Sequence, residues 1–239
     1  MITFILLATQ LALASTSDPG LAHPDAAPTP GGEVAVSVGL GIEGLVDFHD
    51  DFTELRLDPT AELRASWAIT DGLRVDAAGG GRAGGMGKYG NPQPEPFLHL
   101  GARWVVARPG GIGIAPFADV TKTSINSGFA SAGVALEGGG EQLRVDAALP
   151  LMVRTDTASR SGDVHLYGPL MALATTGELG LSWRATDHHG LRLGLISIMP
   201  NLGWCWASEA WFGDVTITTL PASIDPLQVL AGAHVGRKF

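Results

Sequence analysis

A long two-residue alternation is the feature that most constrains the fold of this chain. From Leu55 to Ile69, odd positions are apolar or proline, and even positions up to Ser66 are polar, with charges of both signs. Successive side chains of a strand point to opposite faces, so this pattern predicts a strand with one apolar and one charged face. Strands of soluble sheets usually have about 5–6 residues. A tilted strand needs about 9–11 residues to cross a bilayer, and this segment is longer.

The same alternation recurs along the chain, with short turns and longer connections between the segments. We predict an all-β fold, an antiparallel up-and-down transmembrane β-barrel over residues 33–239. The predicted ten strands are 33–46, 54–70, 73–84, 97–107, 111–122, 128–138, 142–154, 174–186, 190–201 and 226–239. Eight or twelve strands are also compatible, because 164–173 and 210–220 could each form a strand. Proline cannot donate to a ladder, so Pro116 and Pro150 predict bulges or breaks.

Composition supports a membrane barrel and excludes several other classes. Charged residues make up 16% of the chain, below the roughly 25% of soluble domains, and mean hydropathy is +0.20. Yet the sequence contains no run of 18 apolar residues, which a membrane-spanning helix would need. The net charge of −9 argues against a nucleic-acid partner. The single cysteine, Cys205, excludes an internal disulfide.

The first residues predict an export signal. Residues 1–14 hold an apolar stretch that ends in the cleavage pattern Ala12-Leu13-Ala14, although no basic residue precedes it. Residues 15–32 are rich in Pro, Ala, Gly and Asp, and predict a disordered lead-in. A buried N-terminal helix is the alternative to the signal peptide.

Three tryptophans lie just before short turns. Trp67, Trp104 and Trp183 each precede a turn by three or four residues on the apolar face of a strand. Tryptophan prefers the membrane–water boundary, so with Phe239 they predict a girdle at the periplasmic boundary. Core packing in a soluble barrel is the alternative.

The end of the chain, Val235-Gly236-Arg237-Lys238-Phe239, resembles the C-terminal signal of small outer-membrane β-barrel proteins of Gram-negative bacteria, OmpA/OmpX-like or porin-like. The resemblance covers Val34 to Phe239 and does not single out one protein. It implies a bacterial outer-membrane location with outer-membrane lipid and lipopolysaccharide as neighbours. It also implies contact of the last strand and Phe239 with the periplasmic barrel-assembly machinery.

The predicted inner face is densely charged. Buried charges persist when they are paired, so one interpretation is a lumen filled by salt-bridged side chains. The alternative is a narrow ion-conducting pore lined by charges of both signs. The predicted lumen charges are Arg56, Glu62, Arg64, Arg74, Asp76, Arg103, Asp119, Arg144, Asp146, Glu178, Arg184 and Arg192. We therefore expect a non-enzymatic barrel with a structural or weakly pore-forming role.

Two other functions remain open from the sequence. An outer-membrane protease or lipid A-modifying hydrolase could use His165 near Asp163, although both could equally be solvated loop residues. No zinc spacing, phosphate loop or nucleophile elbow assigns a catalytic, metal or cofactor site. A predicted outer loop over 202–225 could serve adhesion, or could form an outer girdle or fold on the barrel mouth. Its aromatic residues are Trp204, Trp206, Trp211 and Phe212.

Overall fold

A computed structural model describes residues 31–49, 52–83, 94–106, 108–124, 127–140, 142–156, 164–196, 199–219 and 227–239. The predicted signal peptide over 1–14 and nearly all of the lead-in over 15–32 lie outside these ranges. Within them, no helix is long and apolar enough to cross a membrane.

The described chain consists of strands and one short helix. The helix, α1, spans Pro169–Thr176 and follows Gly168. The strands are β1 (Val34–His49), β2 (Phe52–Ala68), β3 (Leu73–Ala83), β4 (Pro94–Trp104), β5 (Gly113–Ser124), β6 (Ser127–Gly139), β7 (Leu143–Asp156), β8 (Val164–Tyr167), β9 (Glu178–Arg184), β10 (His189–Ile196), β11 (Met199–Ala207), β12 (Trp211–Thr219) and β13 (Leu227–Lys238).

Antiparallel pairing closes the sheet into a barrel. Each strand from β1 to β7 pairs with the next, β7 pairs with β9, and the strands from β9 to β13 continue the wall. β13 returns to β1 from Val46↔Leu227 to Ala35↔Lys238. The Phe239 amide donates to the Val34 carbonyl at 2.8 Å, which completes the seam. Closure pairs β1 and β13, the first and last strands of the wall, with each other instead of leaving them as open edges.

The predicted antiparallel barrel is confirmed, but the predicted number of ten strands is wrong. Twelve strands form the wall, and β8 adds a short thirteenth to the sheet. The segment predicted as an outer loop over 202–225 instead contains most of β11 and all of β12, which pair with each other from Asn201↔Thr218 to Ala207↔Phe212. The two-residue period is present in both strands. Most of their inner positions, such as Asn201, Gly203 and Thr216, carry no charge, and Asp214 is the exception.

The two faces of the wall differ as the alternation predicts. Outward side chains are apolar and exposed, which amounts to an apolar surface around the whole wall. Examples are Leu40, Leu63, Leu100, Val120 and Leu193. Inward side chains are polar and mostly buried, among them Arg64, Asp146, Arg192, Asp214 and His234. The connections β2–β3, β4–β5, β6–β7, β9–β10 and β11–β12 form one end of the barrel, here called the short-turn rim.

The two internal prolines behave differently. Pro150 pairs with Gly133 where the β6–β7 register shifts, so that Leu151 is the extra residue of a bulge. Pro116 pairs with Val134 in regular register, so the expected irregularity is not found there.

The wall between β7 and β9 contains an interruption. β9 pairs with β7 at Leu143–Ala148, and β8 pairs with β7 at Val153–Asp156. Helix α1 lies between β8 and β9 in the chain, and its buried Ala172 packs against Val153 and Tyr167 on the inner side of the wall. Within the described ranges, Leu149–Met152 therefore have no strand partner on this edge. We call this segment of β7 the window.

Candidate functional site

The lumen holds many charged side chains, and one cluster of them surrounds His234. The ring contacts Asp214 Oδ1 through Nδ1 at 3.1 Å and Glu62 Oε1 through Nε2 at 2.8 Å. The guanidinium of Arg64 lies 3.6 Å from the same Glu62 oxygen. Glu62, Arg64, Asp214 and His234, the His234 cluster, join β2, β12 and β13 across the inner face. With an acceptor at each ring nitrogen, the cluster is suited to hold an imidazolium.

A second cluster surrounds Arg192 on β10. Arg192 Nη2 lies 2.7 Å from Asp146 Oδ2 and 3.8 Å from Glu178 Oε2. The exposed fractions are 4% for the side chain of Arg192 and 2% and 4% for the two acids. The three residues, the Arg192 cluster, connect β7, β9 and β10. Charges this deeply buried depend on one another, because each alone would bear a large desolvation cost.

Smaller contacts line the rest of the inner face. Arg74 donates from Nε to Asp76 Oδ1 at 3.1 Å. His99 Nδ1 lies 2.9 Å from Thr121 Oγ1, and its Nε2 lies 3.9 Å from Asp119. The amide of Asn201 donates to the Thr218 hydroxyl at 2.7 Å. These pairs extend the polar lining over most strands of the barrel.

Glycines on the inner face give these side chains room to lie along the wall. A Cβ on Gly39 would collide with the His234 ring and would lie 2.8 Å from Glu62 Cγ. A Cβ on Gly101 would lie 2.5 Å from Asp119 Oδ1, and one on Gly180 would lie 2.6 Å from both Asp146 oxygens. The large polar side chains therefore occupy space directly over glycine backbone, rather than only projecting towards the barrel axis.

A cavity of about 230 Å³ lies at the short-turn rim. Its lining includes Arg144, Arg184, Lys238 and Cys205. Arg144 pairs with Glu137 at 3.4 Å, and Lys238 lies 3.8 Å from Glu33. Cys205 is a free thiol on the inner face, opposite Asp214 in the β11–β12 pair.

The predicted lumen charges occupy the inner face at every position that the structure describes. The side chain of Arg56 lies outside the described residues, as does Asp163 of the hydrolase hypothesis. His165 lies in β8, although its side chain is outside the described residues. Sequence reasoning missed Asp214, because it fell in a segment that was predicted to be a loop. The described ranges contain no group of three or more His, Cys, Asp and Glu placed to hold a metal ion.

The predicted girdle residues lie at the short-turn rim. Trp67, Trp104, Trp183 and Phe239 point outward there and are half-exposed or more. Trp204 and Trp211 also point outward near this rim, so their prediction as outer-loop residues is wrong. Trp206 precedes the turn between β11 and β12. Phe212 is 3% exposed and lies on the inner face over Gly236.

Solved structures of other proteins have a similar architecture. The COG4313 outer membrane channel from Pseudomonas putida F1 matches with a TM-score of 0.62 and 12% identity, covering 93% of this chain and 100% of that one. The translocator domain of the autotransporter NalP from Neisseria meningitidis matches with a TM-score of 0.56 and 13% identity, over 100% and 97%. The chain has the fold of outer-membrane β-barrels.

A third barrel with this fold is the KdgM porin in complex with disordered oligogalacturonate. It matches with a TM-score of 0.51 and 10% identity, over 83% of this chain and 99% of that one. No family model and no curated protein matches the chain. At these identities, the likeness concerns the fold.

Proposed function

We propose that this chain is a bacterial outer-membrane channel that conducts ions and small polar solutes through its lumen. The observation that carries the proposal is the arrangement of large inward side chains over glycines of the wall, as at Gly39, Gly101 and Gly180. Side chains that lie along the wall leave more of the axis open than side chains that meet across it. Barrels of 8 strands have filled interiors and those of 16 or more have wide channels, so twelve strands favour a narrow pore.

The same proposal sets the orientation of the barrel. The aromatic residues at the short-turn rim favour a periplasmic position for that rim, as in outer-membrane barrels with short periplasmic turns. The cavity beside Cys205 is then the periplasmic mouth. Export through residues 1–14 and insertion through the last strand belong to the proposal as well.

A thiol block tests whether ions use this lumen. The purified protein in planar bilayers is expected to conduct, and a negatively charged methanethiosulfonate is expected to lower its conductance in steps by modifying Cys205 at the mouth. Cys205→Ser should conduct like the original protein, and the reagent should leave its conductance unchanged. A silent protein contradicts the proposal, as does unchanged conductance when mass spectrometry shows Cys205 to be fully modified.

The window supports a second candidate function, the passage of apolar solutes between membrane and lumen. Leu151 and Met152 at the window are 54% and 47% exposed, and Leu170 of helix α1 is 81% exposed. The segment from Gly168 to Gly177 carries no charge. At the window the hydrogen-bonded ladder is interrupted and the surface is apolar. An apolar molecule could therefore cross the wall there without breaking hydrogen bonds between strands.

Fluorescence quenching can detect that passage. With a fluorophore on Cys205, a brominated hydrocarbon supplied in the bilayer is expected to enter through the window and to quench the label more strongly in the original protein than in Leu151→Gln/Met152→Gln. The matched control, Leu193→Gln/Leu195→Gln, places the same change on an equally exposed but fully paired part of β10. Equal quenching in all three proteins would contradict the second function and leave the conductance test unaffected.

The structure lends less support to the other two functions. The hydrolase hypothesis depends on Asp163, outside the described residues, whereas His234 in the lumen is engaged by carboxylates at both ring nitrogens. The adhesion hypothesis depends on aromatic residues that lie in β11 and β12 rather than in an outer loop.

A further inference from the structure

The distribution of charge on the outward face is uneven. Among the wall-strand residues whose side chains the structure describes, the formally charged residues that point outward are Lys122, Arg154 and Arg237, and all three are basic. Lys122 pairs with outward Leu98, and Arg154 pairs with outward Leu166, both towards the rim opposite the short turns. Arg237 lies at the short-turn rim, beside Trp211 in the β12–β13 pair. Between the two rims, the outward side chains that the structure describes carry no formal charge.

Arg237 is held by two aromatic rings. Its guanidinium carbon lies 5.6 Å from the centre of the Trp211 ring and 5.2 Å from that of the Phe239 ring. Both rings belong to the outward aromatic residues of this rim and are 48% and 69% exposed. Within the described part of the chain, no ion pair is found for Arg237. Contacts with ring faces position a guanidinium while they leave its N–H groups, which lie in its plane, available to an acceptor.

We propose that Arg237, held by Trp211 and Phe239, binds the phosphate of a phospholipid headgroup in the periplasmic leaflet. This inference rests on the membrane location in the proposed function and does not depend on conduction. The guanidinium fork matches two phosphate oxygens, whereas the neighbouring rings occupy the zone between headgroup and acyl chain. The position selects a phospholipid, since this rim faces the periplasmic leaflet and lipopolysaccharide faces the other.

Lipid-dependent thermal stability tests the site. In dodecyl maltoside, adding phosphatidylglycerol or phosphatidylethanolamine is expected to raise the Tm of the original protein by several degrees more than adding a phosphate-free diglucosyl diacylglycerol. Arg237→Gln should lose this difference between the lipids. Arg237→Lys should keep part of it, because an ammonium attracts phosphate as a point charge without the bidentate geometry.

The matched control removes an exposed arginine elsewhere at the same rim. Arg108 lies in the β4–β5 connection, and Arg108→Gln should retain the phospholipid-specific rise. Native mass spectrometry provides a second readout, in which Arg237→Gln is expected to retain fewer phospholipids than Arg108→Gln.

Several outcomes would overturn the inference. A full phospholipid-specific rise in Arg237→Gln would show that the guanidinium is not needed. Equal losses in both arginine variants would indicate a general effect of charge. Normal lipid retention combined with poor barrel assembly in cells would place the role of Arg237 in insertion. Conductance of Arg237→Gln is measured in parallel, so failure of the lipid site and failure of the channel proposal are distinguishable.

Discussion

Replacing Arg192 by methionine is expected to destabilise the barrel by about 3–5 kcal/mol. The change would leave the buried carboxylates of Asp146 and Glu178 without their shared cation. The loss should appear as a lower midpoint in urea unfolding of the refolded protein, followed by tryptophan fluorescence. Methionine fills a similar volume, so the change mainly removes charge and hydrogen bonds rather than creating a cavity.

Arg184→Met supplies the matched control. Arg184 lies on the inner face of the neighbouring strand β9 but is exposed, so the same substitution should change stability by no more than about 0.5 kcal/mol. Equal effects of the two substitutions would show that burial does not determine the strength of the lumen ion pairs. It would also remove the basis for treating the Arg192 cluster as structural.

The second large effect is expected from a single methyl group at Gly39. In Gly39→Ala the new Cβ would occupy the place of the His234 ring, so the ring must swing away from the wall. The contacts of His234 with Glu62 and Asp214 would weaken, at a cost of about 1.5–3 kcal/mol for hydrogen bonds to charged groups. The displaced ring would project towards the axis and lower single-channel conductance. Urea unfolding and planar-bilayer recordings measure the two effects.

Gly232→Ala is the control for that experiment. Gly232 is on the inner face of β13, opposite Gly41 of β1, and its Cβ would lie 3.7 Å from Thr216 Oγ1, an ordinary contact. We expect stability and conductance close to those of the original protein. If Gly39→Ala behaves in the same way, then the space over Gly39 does not determine where His234 lies, and the argument for an open axis loses its support.

The sequence alone sufficed for the fold class because the alternation is a local property of each strand. The segment from Leu55 to Ile69 carries opposite chemistry on its two faces, and only a strand separates those faces. β11 and β12 were harder to recognise because the turn between them is Ser208-Glu209-Ala210, without the glycine or proline that marks most other turns. Most of their inner positions, such as Gly203 and Thr216, also lack charge, and Asp214 is the exception.

The candidate site was predictable in kind but not in its pairs. Parity along each strand assigns Arg192 and Asp146 to the inner face. Which acid meets which arginine depends on the register between strands, and that register is fixed by contacts far apart in the sequence. The His234 cluster shows the difficulty, since Glu62 and His234 are brought together only when β13 closes on β1 and β2. The window could not be predicted from the sequence either. It exists because β9 pairs with the first half of β7 and β8 with its end, and no local pattern reveals that division.

The seam between β1 and β13 has a consequence for the rate at which the protein folds. Its pairs, such as Leu40↔Ala233, join the two ends of the described chain, and no local hairpin can supply them. Contacts between residues so distant in sequence form slowly, because the loop-closure entropy must be lost before the ladder forms. Until that step, β1 and β13 are both open edges able to pair with other chains. We therefore expect closure of the seam to limit the rate of insertion and to set how long the protein needs protection from aggregation.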